Sequence, residues 1–306
     1  MPSAKALLFG VLAAMGVAFV AIWARQPRVP GTRVRPSAAQ IAIGFVTNFF
    51  DTLGIGSFAT TTSLFKLGRA VADENIPGTM NVGHMLPTFA EAFIFILVVD
   101  VDMTTLAAMV AAATLGAWLG AGVVSRWPRR RIQRAMGVLL ILAAGIMAAR
   151  AARLWPGGGE ALGLSGGRLA VAIAGNALLG ALMTLGIGLF APCMILVALL
   201  GMNETAAFPI MMGSCAFLMP AASVRFVRSG RYDLPAAVGL TIGGIPAVII
   251  AGMWIKSLPL AAVKWLVVVV VVYTALAMLK SAQSAVAASP ATFDGKGDEA
   301  GEGGRG

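Results

Sequence analysis

Three ionisable side chains stand inside apolar stretches of the chain. Asp51 lies in FFDTLGIGSFATTT, and His84 and Glu91 lie in IPGTMNVGHMLPTFAEAF. Ionisable groups held away from water are costly, and inside a bundle they are candidates for holding or passing a proton. Asn81, His84, Thr88 and Glu91 follow one another at intervals of three and four, which places them on one helical face. Asp51 is followed by Gly54-Ile55-Gly56, then by Ser57, Thr60, Thr61 and Thr62. The glycines predict a break, and a helix restarting with Ser57 as its N-cap would point unpaired N–H groups at that break. With roughly half a positive charge from the helix dipole, such an end attracts anions. The chemistry on offer is anion binding with proton carriers close by. The plainer alternatives are glycines that only let helices approach and acids that form a buried structural pair.

The elements that must hold these groups are membrane helices. Hydrophobic residues make up 58% and charged residues 12% of the chain, and the mean hydropathy is +0.87. Soluble domains carry about 25% charged residues. Apolar runs of roughly 20 residues, each enough to cross about 30 Å of hydrocarbon, recur throughout. The net charge of +10 comes from arginines in short loops, where they set orientation. No basic patch is interleaved with aromatics, so nucleic acid is not an expected partner. Cys193 and Cys215 are the two cysteines and His84 the single histidine. They supply neither a disulfide framework nor the ligand spacing of a metal site, and no cofactor is expected. A GxxxxGK[ST] phosphate loop is absent from the sequence, so transport would run on gradients.

The chain contains an internal repeat. Thr52–Gly56 and Thr184–Gly188 both read TLGIG. At the same offset Ile76-Pro77 matches Phe208-Pro209 and Met80 matches Met212. With a slip of one residue Asp102 matches Asp233 and Pro128 matches Pro259. The expected organisation is an N-terminal helix and basic loop (1–39), a first repeat (40–150), a loop (151–171), a second repeat (172–282) and a disordered glycine-rich tail (283–306). Each repeat opens with a glycine-broken segment, about 40–67 or 169–200. Three helices follow in each, about 77–99, 103–124 and 131–150, then 206–228, 234–255 and 260–281.

Charge decides whether the broken segments cross or return. If each returns as a re-entrant hairpin, the arginines of 25–35, 126–134 and 225–231 all fall on one side. That side is the cytoplasm under the positive-inside rule. The two repeats then have opposite orientation, and equivalent loops carry opposite charge bias. Inverted repeats with interrupted helices meeting near the midplane are a common build of secondary transporters. The second break, Gly186-Ile187-Gly188, leads into a half-helix with Pro192 and Cys193 and would face the first.

These features resemble the sulfite exporter TauE/SafE permeases. The resemblance rests on GFVTNFFDTLGIGSFATTTSLF and GNALLGALMTLGIGLFAPCMIL, on the proline-entered helices IPGTMNVGHMLP and FPIMMGSCAFLMP, and on the helices that follow. It covers about 40–282. It implies export of sulfite or a small organosulfur or organic anion from the cytoplasm.

The expectation is an all-α polytopic membrane protein of two inverted repeats plus one N-terminal helix, and not an enzyme. It would be a multi-pass protein of a bacterial-type plasma membrane, N-terminus outside and C-terminus cytoplasmic. Gly54, Gly56, Ser57, Thr60, Thr61, Asn81, Gly186, Gly188 and Cys193 are the expected substrate contacts; Asp51, His84 and Glu91 are the proton-coupling candidates. The partners are the small anion and the lipid bilayer, and a bundle of this size is compatible with a homodimer. Two alternatives stand beside export: uptake of a sulfur species or other small anion, and an intramembrane enzyme using Asp51, His84 and Glu91.

Overall fold

The structure, a computed structural model, describes residues 4–26, 35–72, 74–124, 159–183 and 189–257, with further positions between 134 and 154 and between 262 and 280. Gly186, Gly188 and the C-terminal tail lie outside the described residues. The continuous helices are α1 (Ala4–Ala24), α2 (Ala38–Thr52), α3 (Ser57–Gly68), α4 (Ile76–Val98), α5 (Met103–Val124), α6 (Gly166–Met183), α7 (Phe190–Leu199), α8 (Ala207–Ser229) and α9 (Leu234–Ser257). The described positions between 134 and 149 and between 262 and 280 are also helical. Among the described residues, five helices are long and apolar enough to cross a membrane. This is an all-helical, multi-pass membrane protein.

Local sequence explains where the helices begin. Ser37 and Gln40 form a reciprocal capping box at the head of α2, with Gln40 N donating to Ser37 Oγ at 3.2 Å and Ser37 N to Gln40 Oε1 at 2.9 Å. Asp102 and Asp233, the pair matched by the repeat, do the same job. Asp102 accepts from Thr105 N at 2.7 Å at the head of α5, and Asp233 accepts from Ala236 N at 2.8 Å at the head of α9. Pro77 sits in the first turn of α4, where its missing N–H costs nothing. Gly230, at φ 67°, ends α8 in the left-handed conformation.

One end of the bundle gathers the close of α1, the start of α2, the close of α3, the start of α4, the close of α8 and the start of α9. Trp23 Nε1 donates to Tyr232 OH at 3.1 Å. Asp233 N donates to Thr79 Oγ1 at 2.8 Å. Gln40 lies against Gly239. Phe65, Val71, Ile76, Met80, Ala236 and Leu240 form one apolar cluster there. Both free ends of the α2–α3 unit therefore reach the same end of the bundle. The opposite end gathers the close of α4 and the starts of α5 and α6, where Asp102 N donates to Leu162 O at 2.8 Å and Leu164 N to Thr105 Oγ1 at 2.9 Å. The close of α7 joins it, since Asn203 N donates to Ala161 O at 2.9 Å.

The packing exchanges partners between halves. α2 packs most extensively on α9, and α6 on α5. Gly243 and Gly116 make both contacts possible: a Cβ on Gly243 would collide with Ile41 O, and one on Gly116 with Ala177 O. α4 and α8 pack on each other at the centre, and each contains an internal proline, Pro87 and Pro220.

Candidate functional site

The break between α2 and α3 is a tight turn. Gly54 and Gly56 adopt φ of 94° and 87°, which side chains with a Cβ rarely tolerate. Gly54 N donates to Asp51 O at 2.7 Å and Ile55 N to Phe50 O at 3.0 Å. α3 restarts one residue earlier than a Ser57 cap would require. Gly56 is the N-cap and offers no side chain, while Ser57 is the first helical residue. The cap comes from across the turn instead: Ser57 N donates to Asp51 Oδ1 at 2.9 Å. The carboxyl group of Asp51 thus already sits at the head of α3, where the free N–H groups and the dipole favour negative charge.

Around this turn lies a buried network joining three helices. Thr52 Oγ1 lies 2.8 Å from Asn48 O and 2.9 Å from Glu91 Oε1, with one proton to share between them. Glu91 Oε2 is buried with no hydrogen-bond partner among the described residues. Asn48 Nδ2 donates to Gly44 O at 2.7 Å, so Asn48 Oδ1 faces His84 Nδ1 at 3.0 Å as an acceptor. His84 Nδ1 must then carry a proton, and in the neutral ring Nε2 is free to accept from Thr61 Oγ1 at 2.9 Å. His84 on α4 thereby ties both arms of the break together, and Phe58 packs over its ring at 5.9 Å. Asp51, Thr52, Ser57, Thr61, His84, Thr88 and Glu91 are all buried.

The structure brings Asp51, Ser57, Thr61, His84 and Glu91 together and leaves other expected contacts apart. Thr60 Oγ1 donates to Ser57 O at 2.8 Å and Thr62 Oγ1 to Phe58 O at 2.8 Å, each within its own helix. Asn81, a half-buried residue one turn before His84, donates from Nδ2 to Pro77 O at 2.8 Å. Cys193 is buried in α7, and the buried Cys215 of α8 lies within electrostatic range of Asp51, Glu91 and Cys193. The two halves therefore converge near the first break. A surface cavity of about 550 Å³ lined by Phe65, Lys66, Arg69, Val71 and Ala72 opens at the far end of α3, away from the network.

Sequence reasoning missed Asn48 and Thr52. Their signal was present: Gly44, Thr47, Asn48, Asp51 and Thr52 are spaced along one face of α2, and these five are the buried residues of that helix. It also missed Asn176 on α6, whose Nδ2 donates to Met109 O at 2.7 Å and Ser214 Oγ at 3.0 Å.

The sulfite exporter TauE/SafE family matches residues 2–147. All members of the polar network, from Gly44 to Glu91, lie inside the TauE/SafE match, and so does α1. Neither a curated protein nor a solved structure matches the chain.

Proposed function

We propose that the protein is a proton-coupled secondary transporter that exports a small anion, sulfite or a small sulfonate, from the cytoplasm. The observation that carries this reading is the seat at the head of α3. It is buried among three helices, built for negative charge, and holds a carboxylate already. Glu91 stands next to it through Thr52. The single proton of Thr52 Oγ1 faces two acceptors; a proton on Glu91 resolves the competition, because the carboxyl then donates to Thr52 while Thr52 donates to Asn48 O. Two acids with one proton between them are what coupling needs.

Alternating access would come from two inverted halves. The reading is supported by the shared end reached by both arms of α2–α3, by α6–α7 at the opposite end, and by the exchanged pairs α2–α9 and α6–α5. Arg25, Arg69, Arg228 and Arg231 lie at the end reached by the start of α2 and the close of α3, which supports reading that end as cytoplasmic. The cavity with Lys66 and Arg69 would be its mouth, and Ser57, Thr61 and the glycine turns the seat itself.

The test is flux of radiolabelled sulfite in proteoliposomes with and without an imposed pH gradient, for wild type, Asp51→Asn and Glu91→Gln. Flux that follows the gradient in wild type and ignores it in a carboxylate variant is expected. Gradient-independent flux in wild type would remove proton coupling. The absence of sulfite and sulfonate flux in folded protein would remove the transport reading.

A further inference from the structure

We infer that Asp51 is a built-in competitor for the transported anion: its carboxylate occupies the substrate seat at the head of α3, and each bound anion obliges Asp51 to take up one proton and leave. The inference rests on the transport reading and adds a mechanism of obligatory coupling to it.

Three observations carry it. The first is occupancy. Gly56 gives α3 no side-chain cap, and Asp51 Oδ1 reaches across the turn to take the Ser57 N–H at 2.9 Å. A second anion placed on the same donors would meet a like charge within a few ångströms in a site shielded from water, where repulsion is strong. The second is the destination. Glu91 Oε2 is buried without a partner, while Oε1 is fixed by Thr52, the residue next to Asp51 in the chain. A protonated Asp51 displaced from Ser57 has an unused acceptor on the same wall of the site. The third is isolation. The titratable groups on the described helices around Asp51 are His84 and Glu91 on α4, Lys66 near the far end of α3, Cys193 on α7, Cys215, Arg225 and Arg228 on α8, and Lys256 near the far end of α9. Both ring nitrogens of His84 are engaged by Asn48 and Thr61. No cation among the described side chains is bonded to Asp51, whose carboxyl accepts from the Ser57 N–H at the head of α3.

The step balances: one anion arrives, one proton neutralises Asp51, and the charge of the seat is unchanged. Binding is then linked to pH through one proton. Above the pH at which Asp51 ionises, affinity falls tenfold per pH unit.

The experiment is equilibrium binding of radiolabelled methanesulfonate, a monoanion throughout the range, to purified protein at pH 6 and pH 8. Sulfite itself titrates near neutrality and would blur the result. Asp51→Asn keeps an acceptor for the Ser57 N–H and removes the charge. Wild type is expected to bind at least about tenfold more weakly at pH 8 than at pH 6. Asp51→Asn is expected to bind equally at both, with the wild-type affinity of pH 6. A second measurement needs no variant: addition of methanesulfonate to weakly buffered wild type at pH 8 takes up about one proton per anion bound. Binding with no proton uptake, or a variant with the wild-type pH dependence, would overturn the inference and leave anion transport standing. No binding of any kind, by folded wild type or variant, would overturn the seat and the transport reading together.

Discussion

Asp51 and Met183 each stand directly before a copy of Thr-Leu-Gly-Ile-Gly, and at the same spacing Thr61 matches Cys193 and Glu91 matches Ser223. The first member of each pair belongs to the hydrogen-bonded network between α2, α3 and α4. The second members make isolated contacts with neither an acid nor a histidine: Cys215 Sγ donates to Met183 Sδ at 3.7 Å, and Ser223 Oγ donates to Asn81 O at 2.8 Å. The packing of the halves is nearly interchangeable. Gly243 meets Ile41 as Gly116 meets Ala177, and Asp102 and Asp233 cap matching helices. The lesson is a division of labour. The described helices of the two copies pack alike, and the buried network of the first carries Asp51, His84 and Glu91 at positions where the second has Met183, Ala216 and Ser223.

The largest effect that sharpens this contrast is on flux. Glu91→Ala removes the side chain that bridges Thr52 to α4 and abolishes its unpaired carboxyl oxygen. Gradient-driven flux of sulfite is expected to fall by about 100-fold, equivalent to about 2.7 kcal/mol. Ser223→Ala, its counterpart, loses a neutral hydrogen bond worth about 1 kcal/mol of stability and is expected to retain flux within about twofold. Equal losses in both variants would break the comparison.

Stability should show the opposite pattern, with the halves alike. Gly243→Val and Gly116→Val each drive a side chain into a carbonyl of the facing arm. Each is expected to destabilise the detergent-solubilised protein by about 1–3 kcal/mol, read as a lowered thermal midpoint. A large loss for Gly243→Val with none for Gly116→Val would mean that the halves are unequal in shape too.

His84 has a smaller and more local effect. His84→Ala strands Asn48 Oδ1 and the hydroxyl of Thr61, each a buried polar group. The cost is expected at about 1–3 kcal/mol for each group left unpaired, reduced where one finds a new partner. Amide hydrogen exchange should rise at Ser57 to Thr61, since the ring ties α3 to α2. Unchanged exchange there would deny His84 its bridging role.

Much of this architecture was legible in the sequence, for identifiable reasons. The helices expected at about 77–99, 103–124, 206–228 and 234–255 lie within two residues of those bounds, because the chemistry that starts or ends them, at Pro77, Asp102, Asp233 and Gly230, is local. The break at Gly54 and Gly56 followed from conformations that only glycine adopts readily. The cap of α3 was not legible, because Asp51 reaches Ser57 from six residues away across a turn whose shape the sequence does not state. Asn81 shares a spacing with His84 and Glu91 but spends its amide on Pro77 O. Spacing gives a face, and only packing decides which residues on that face look inward. Asn48 and Thr52 were overlooked because attention fell on ionisable groups, although the neutral pair supplies most of the bonds that hold the acids in place.

The smallest expected effect comes from the sulfurs. Cys193 and Cys215 are buried, and Cys215 lies in electrostatic range of both acids. If the second half contributes shape rather than chemistry, the double variant Cys193→Ala, Cys215→Ala removes only small packing groups. Its sulfite flux is expected to stay within about twofold of wild type, a change below about 0.4 kcal/mol, and its pH dependence to be unchanged. Loss of flux with the pH dependence intact would instead make the thiols contacts of a sulfur-bearing substrate. The second half would then discriminate among anions that the first half holds, and the division of labour would lie between selection and coupling.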